Sequence, residues 1–529
     1  MEKRIQESMV IAPVVQEEVE KIIKSLKDSS SGWDSISPKV VKCTYNSFLV
    51  PLTHIMHTSL VTGVFPTELK IARVIPIFKA GDTSSFTNYR PVSVLPLFSK
   101  ILERLMYTRL LSFINKHNLL YKFQFGFRSQ HSPNFALMIL VDQISEALES
   151  GDYVLGLFLD FSKAFDTVNH EILLKKLEFY GIRGIALKWF RSYLHDRVQY
   201  VEYNETASSK GNITCGVPQG SILGPLLFLL YVNDLSKAST LVFSILFADD
   251  TNMFLTGKDP NILVKTMSQE MNHVVDWLKL NKLSLNLSKT HFIIFRRKGA
   301  KVCLTEDLTI DKVNINMVDS TKFLGVFMDQ NLTFHKHIHY IKGKIARGIG
   351  ILYKCRPILN ENTLKMLYNA IIYPYFTYCV EVWGSTYSKY IDPLLKIQKR
   401  AIRTIVGAKK YDHTLPLYKK LHLLNVHQIY VYCVQLFMFK YKRSLLPSLF
   451  DELFLTNSSV HSHNTRQHDL LHVPIIRTEP FSRTVRMLGV YSYNYFSTRI
   501  EMGVSYETYK RHLKRHVLDS TDIYSMCGF

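Results

Sequence analysis

The hydrophobic pattern of this 529-residue chain switches repeatedly between helical and strand periods. Apolar Val19, Ile22, Ile23 and Leu26 recur at helical spacing and predict a helix over 15–26, within a stretch to about residue 60 that reads as helical. Ser29-Ser30-Ser31-Gly32-Trp33-Asp34 has the small residues of a phosphate cradle but neither its lysine nor its preceding strand, which predicts a turn between helices. Short strands are expected around 74–77 and 91–94, then an amphipathic helix over 99–115. The apolar run 155–159 predicts a strand ending on Asp160, with helices at 173–180 and 186–194. Residues 226–232 are apolar throughout and predict a buried helix with Pro225 in its first turn. Runs at 241–246, 253–255 and 291–295 read as strands, 323–326 as an apolar alternation, and 333–410 as mainly helical. The pattern is that of an α+β protein without internal repeats or low-complexity tracts.

Two of these strands end in acid. Phe247-Ala248-Asp249-Asp250 sets adjacent carboxylates between apolar runs, where their burial is costly unless something compensates. A tight turn carrying both acids between two strands would place them at a hairpin tip, where a divalent cation can neutralise them. Alone, the pair also reads as an ordinary acidic turn, and Asp160 equally as a cap of the segment after it. Together they suit Mg²⁺, which takes oxygen ligands, and two ions a few ångströms apart can hold both oxygens of a phosphoryl displacement.

Around these acids stand further blocks, in order: Ala72-Arg73-Val74-Ile75-Pro76-Ile77-Phe78-Lys79, Asn88-Tyr89-Arg90-Pro91, Gln124-Phe125-Gly126-Phe127-Arg128, Gly216-Val217-Pro218-Gln219-Gly220, Leu285-Asn286-Leu287-Ser288-Lys289 and Phe323-Leu324-Gly325. With the Asp160 strand and the Asp249-Asp250 hairpin, they make residues from about 15 to about 410 resemble the reverse transcriptase of a non-LTR, jockey-like retrotransposon. The resemblance implies a right-hand polymerase. Its expected parts are an N-terminal helical extension (1–65), fingers (66–150), a palm with an antiparallel sheet (151–328), a helical thumb (329–410) and a C-terminal region of unassigned role (411–529).

By the same resemblance, Asp160, Asp249 and Asp250 are the catalytic and metal-holding acids, Asp250 in a supporting role. Lys79 and Arg90 contact the triphosphate, Gln219 and Gly220 belong to a loop facing template and incoming base, and Phe165 walls the nucleotide sugar. Lys289 is a candidate acid for departing pyrophosphate, with a plain structural turn as an equal reading. Phe323, Leu324 and Gly325 form a hairpin gripping the primer end. Arg73 and Arg128 are lesser candidates for nucleic-acid contacts. From the residues themselves, Lys396, Lys399, Arg400 and Arg403 form a basic helix face suited to phosphates, after aromatics at 373–378 and Trp383 that read as core.

Composition agrees. The formal charge of +21 suits a polyanion. No apolar stretch reaches membrane-spanning length, the longest being 222–232, and the N-terminus opens no signal peptide, so no membrane partner is expected. The 7 cysteines are scattered without a Cys-x-x-Cys pair, which suggests free thiols in a reducing, intracellular setting, nuclear or cytoplasmic as a ribonucleoprotein. His335, His337 and His339 lie on an expected helix, where alternate residues diverge, so zinc is not expected; His461 and His463 lie in a polar stretch.

The implied activity is RNA-directed DNA synthesis. A primer 3′ hydroxyl would be extended on an RNA template with deoxynucleoside triphosphates and two Mg²⁺ ions, Mn²⁺ being a substitute, on a DNA primer or target. Related elements encode an endonuclease ahead of this region; no segment here matches one, so target nicking is expected to come from elsewhere. A catalytically silent RNA-binding protein and an intron-maturase-like RNA binder are the alternatives.

Overall fold

In the computed structural model, which describes residues 5–460 and 468–520, the mixed α+β expectation holds. Three helices open the chain: α1 (Gln16–Ser25), α2 (Pro38–Thr44) and α3 (Leu49–Thr62). The stretch 29–34 is a turn region between α1 and α2, as expected. The antiparallel hairpin of β1 (Ile71–Phe78) and β2 (Tyr89–Val94) pairs through β1 with β4 (Arg197–Tyr203), against which short β5 (Thr206–Ala207) and β6 (Gly211–Ile213) fold back. Helices α4 (Leu97–Lys116) and α5 (Pro133–Glu149) lead to β3 (Tyr153–Leu159), and α6 (His170–Phe179) and α7 (Ile185–Leu194) to β4.

The central sheet contains β3, β7 (Phe243–Phe247), β8 (Asp250–Gly257), β9 (His291–Phe295) and short β12 (Asn316–Met317), in the order β12-β9-β3-β8-β7. Its middle strand β3 is apolar along its whole length because both faces are covered. Val154 and Phe158 enter one hydrophobic core, Leu155, Leu157 and Leu159 the other, following the period of 2 along a strand. The second core holds α8 (Gly224–Val232), all of it buried but Pro225, and α9 (Pro260–Leu280).

After the two-stranded ribbon β10 (Thr309–Ile310) and β11 (Val313–Asn314), a hairpin of β13 (Ser320–Phe323) and β14 (Val326–Asp329) turns through Leu324 and Gly325, both at positive φ (44° and 84°). Positive φ at both central positions suits the right-handed twist of such hairpins. Helices α10 (His335–Cys355), α11 (Glu361–Ile371), α12 (Tyr373–Thr377), α13 (Val380–Trp383) and α14 (Ser388–Val406) follow, and residues beyond 410 continue helical as α15 (Leu415–Leu421), α16 (Val426–Lys442), α17 (Asn457–Val460), α18 (Glu479–Ser482), α19 (Val485–Ser497) and α20 (Tyr506–Asp519). This last region joins the core that holds α5 and α10. Phe376 and Trp383 are buried, as core aromatics should be, while Tyr378 is half open and donates its hydroxyl to the Leu324 carbonyl at 2.8 Å.

Among the described residues no helix is long and apolar enough to cross a membrane, and the six described cysteines are free; Cys527, His461 and His463 lie outside the described residues.

Candidate active site

Two strand ends bring the acids together. The last ladder pair of β3 and β8 is Leu159 with Thr251, so Asp160 and Asp250 flank the same rung, and Asp249 sits one residue further into the turn. The expectation of both acids inside the turn is corrected here: Phe247 pairs with Asp250, which leaves only Ala248 and Asp249 as the loop. A two-residue loop is the commonest connection in an antiparallel hairpin, so Asp250 already opens β8.

Asp249 and Asp250 reach solvent, but protein takes the place of part of the water around each carboxyl. Loss of hydration raises the Asp249 carboxyl; Asp160 adds to the rise, while the charges of Arg90 and Lys79 oppose it. The same loss, with repulsion from Asp249 and then Asp160, pushes Asp250 up to about 6. Lys289 Nζ lies 3.6 Å from Asp160 Oδ2, and the Asp160 carbonyl accepts a 2.8 Å bond from Asn286 N, so the 285–289 turn is tied to this strand end.

Lys79 and Arg90 are exposed on the β1–β2 hairpin. The loop 216–220 is clamped between that hairpin and the turn after β3. Ser93 N donates to the Gln219 carbonyl at 2.7 Å, Gln219 Nε2 to Asp166 Oδ1 at 2.8 Å, and Val217 N to the Phe165 carbonyl at 2.9 Å. At Gly220 (φ 134°) a Cβ would stand 2.2 Å from the Ser93 carbonyl oxygen, so only glycine permits this approach. Phe165 is half-buried, stacked on Phe228 with ring centres 4.4 Å apart and edge-on to Phe127 at 6.0 Å.

Several of the other candidate residues have partners within the fold. Arg73 is held by Glu202 (3.0 Å) and the Ser31 carbonyl (2.8 Å), and Arg128 by the carbonyls of Tyr121 and Gln124, so both arginines brace the fold. Arg403 donates twice to the Asp412 carbonyl, whereas Lys396 and Arg400 are exposed and Lys399 half-buried on α14. Phe323 is buried, leaving Leu324 and Gly325 at the hairpin tip. His337 is buried, and loss of hydration lowers it to about 4.

Among the described residues no three His, Cys, Asp or Glu side chains close on one point as a finished metal cage. The donor chemistry still fits Mg²⁺: these are hard carboxylate oxygens whose mutual repulsion a cation relieves, and Mg²⁺ takes one or two carboxylates plus waters and substrate phosphates.

Two residues without an assigned role in the sequence reading hold this site. Gln124, buried, accepts through Oε1 from Gly126 N (2.8 Å) and Ala248 N (3.1 Å), locking the acidic turn to the 124–128 block. A Cβ on Gly126 would meet Ala248 N at 2.2 Å. Glu103, fully buried on α4, accepts from Ile222 N (2.6 Å) and the Tyr193 hydroxyl (3.1 Å), bracing the chain just after Gly220.

Residues 77–328 match the family model of reverse transcriptase (RNA-dependent DNA polymerase). This segment is a reverse transcriptase domain. It runs from β1 into β14 and contains the acids, Lys79, Arg90, the 216–220 loop and the Leu324-Gly325 turn; α14 lies outside it. The chain is 28% identical over 439 residues to a probable RNA-directed DNA polymerase from transposon X-element of Drosophila melanogaster, covering 80% of this chain and 48% of that protein. It is 29% identical over 427 residues to the RNA-directed DNA polymerase from mobile element jockey of the same fly (78% and 46%). A putative 115 kDa protein in the type-1 retrotransposable element R1DM, also of Drosophila melanogaster, is 25% identical over 376 residues (70% and 36%). The chain thus spans about half the length or less of these curated relatives.

Proposed function

We propose that this chain is an RNA-directed DNA polymerase of a non-LTR retrotransposon, extending a primer 3′ hydroxyl on an RNA template. The observation that carries the reading is the shared field of Asp160, Asp249, Arg90 and Lys79, acids and phosphate-binding cations meeting inside a reverse transcriptase domain. A silent RNA binder has no need of that arrangement.

In this reading the β1–β2 region is the fingers, the central sheet the palm, and α10–α14 the thumb. Asp160 and Asp249 would hold the Mg²⁺ ions, with Asp250 in support. Bound there, Mg²⁺ would lower the charge barrier between the primer oxygen and the α-phosphate and stabilise the leaving pyrophosphate. Arg90 and Lys79 neutralise the triphosphate from the facing hairpin. Gln219, fixed by Asp166, and the close-packed Gly220 shape the floor under the incoming base pair, and the Leu324-Gly325 tip rests on the primer backbone. Lys289 is the counter-ion of Asp160 at rest; giving a proton to a pyrophosphate oxygen requires it to leave that partner. The free thiols support a reducing, intracellular setting.

Primer extension on a generic RNA template with Mg²⁺ tests the proposal. The parent protein should add deoxynucleotides, and Asp249→Asn should lose extension while keeping template binding. Retention within about tenfold of the parent rate would refute the assignment of Asp249.

A further inference from the structure

Outside the candidate active site, a cavity of 560 Å³ opens between one side of the β13–β14 hairpin and the first turns of α10 and α14. Its wall is aromatic and aliphatic, from Phe327, Ile338, Tyr340, Tyr390 and Pro393, and its size is that of a small-ligand site. Lys336, Lys342 and Lys389 stand at its rim. Among the described residues none of the three has a carboxylate partner: Lys336 donates to Ser320 Oγ at 2.8 Å, and Lys389 Nζ lies 4.9 Å from the centre of the Tyr390 ring.

A second cavity of 340 Å³ adjoins the first, sharing Lys336, Lys389 and Tyr390, but its wall is polar, with Asp319, Gln330 and Asn331. The pair forms a trough with an aromatic lobe, a cationic rim and a polar lobe. Rings offer a face to a base, lysines meet phosphates, and neighbouring carboxylate and amide groups suit a hydroxyl that both donates and accepts. Phe327 is the second residue of β14, one rung from the Leu324-Gly325 turn, so the trough begins close to the hairpin tip.

We propose that this trough binds an unpaired nucleotide of single-stranded RNA, its base packed on the Tyr340 and Tyr390 rings, its phosphates on Lys336, Lys342 and Lys389, and its ribose hydroxyl in the polar lobe. A duplex cannot use it, because stacked and paired bases do not enter an aromatic cavity. The choice of RNA rests on the polymerase reading above, but the two fail separately, since one is read by extension and the other by binding of single strands.

The test is fluorescence anisotropy of the full chain with a labelled single-stranded RNA, the matching single-stranded DNA and a blunt RNA–DNA duplex. Tyr390→Leu should weaken single-stranded RNA binding about tenfold and duplex binding less than about twofold. Tyr390→Phe should keep the parent affinity, which a folding defect would not allow. Lys389→Ala should lower the salt slope for single-stranded RNA by about 0.7. Equal losses on strand and duplex, no loss at all, or equal affinity of the parent protein for single-stranded DNA and RNA would overturn the proposal.

Discussion

Gln124 reaches across 124 residues of sequence to hold Ala248, the residue that starts the acidic turn at φ 58°. A non-glycine residue in that region costs about 1–3 kcal/mol and persists only where its surroundings enforce it. Here the enforcement is one buried amide oxygen accepting from two backbone N–H groups, Gly126 at 2.8 Å and Ala248 at 3.1 Å.

Gln124→Leu should therefore leave two buried donors unpaired, a cost of roughly 2–4 kcal/mol, and lower extension more than template binding. In that background Ala248→Gly should recover part of the lost activity, because glycine takes positive φ without strain. Urea unfolding and primer extension on the three variants check this; no recovery in the double variant would show that the turn does not depend on Gln124.

Asp142, buried on α5, sets a second measurable dependence. Burial, with a smaller push from Glu146, raises it from 3.8 to about 7, although Arg486 on α19 lies 3.5 Å away and pulls it back. A folded-state value above the unfolded one means that the native protein keeps a proton that the unfolded chain releases. Stability from this group is thus greatest in acid and falls as pH rises from about 4 to about 7. A shift from 3.8 to about 7 bounds the effect near 4 kcal/mol. Thermal unfolding at pH 5 and pH 8 should show a smaller difference for Asp142→Asn than for the parent; an unchanged difference would assign the slope to other groups.

The sequence was most legible where chemistry and period coincide. An apolar strand ending on Asp160 and a hairpin carrying Asp249 are local patterns, and β3, β7 and β8 follow them closely. The supports were not legible, because each depends on a distant partner. Gln124 looks like any polar residue before a phenylalanine, and Glu103 like the wet face of an amphipathic helix, yet both are buried. Arg73, Arg128 and Arg403 read as free cations for the opposite reason: nothing local shows that carbonyls of other turns take their donors.

On α14 the remaining cations have a clear readout. Lys396 and Arg400 are exposed and Lys399 half-buried, so replacing all three by Ala should reduce the salt slope of template-primer binding by roughly 2–3. Sequence preference should not change, because phosphate contacts carry none. A slope equal to that of the parent would move the nucleic-acid track off this helix.

Phe165 is five residues past Asp160 and packs against two other rings. One contact is the stack on Phe228 at 4.4 Å; another is the edge of Phe127 at 6.0 Å, and the side chain remains only half-buried. A ring fixed by that stack would stand under the sugar of the incoming nucleotide and collide with a 2′ hydroxyl, so selection would come from a clash with the wrong substrate. Phe165→Val should open that space and admit ribonucleotides, while deoxynucleotide addition survives at reduced efficiency. Losing the stack also weakens packing, but a residue that only fills core would lower stability and all activity together, with the sugar preference intact. Incorporation of the two nucleotide types beside thermal unfolding separates these outcomes: a folded Phe165→Val protein with the parent's sugar preference would remove Phe165 from substrate selection.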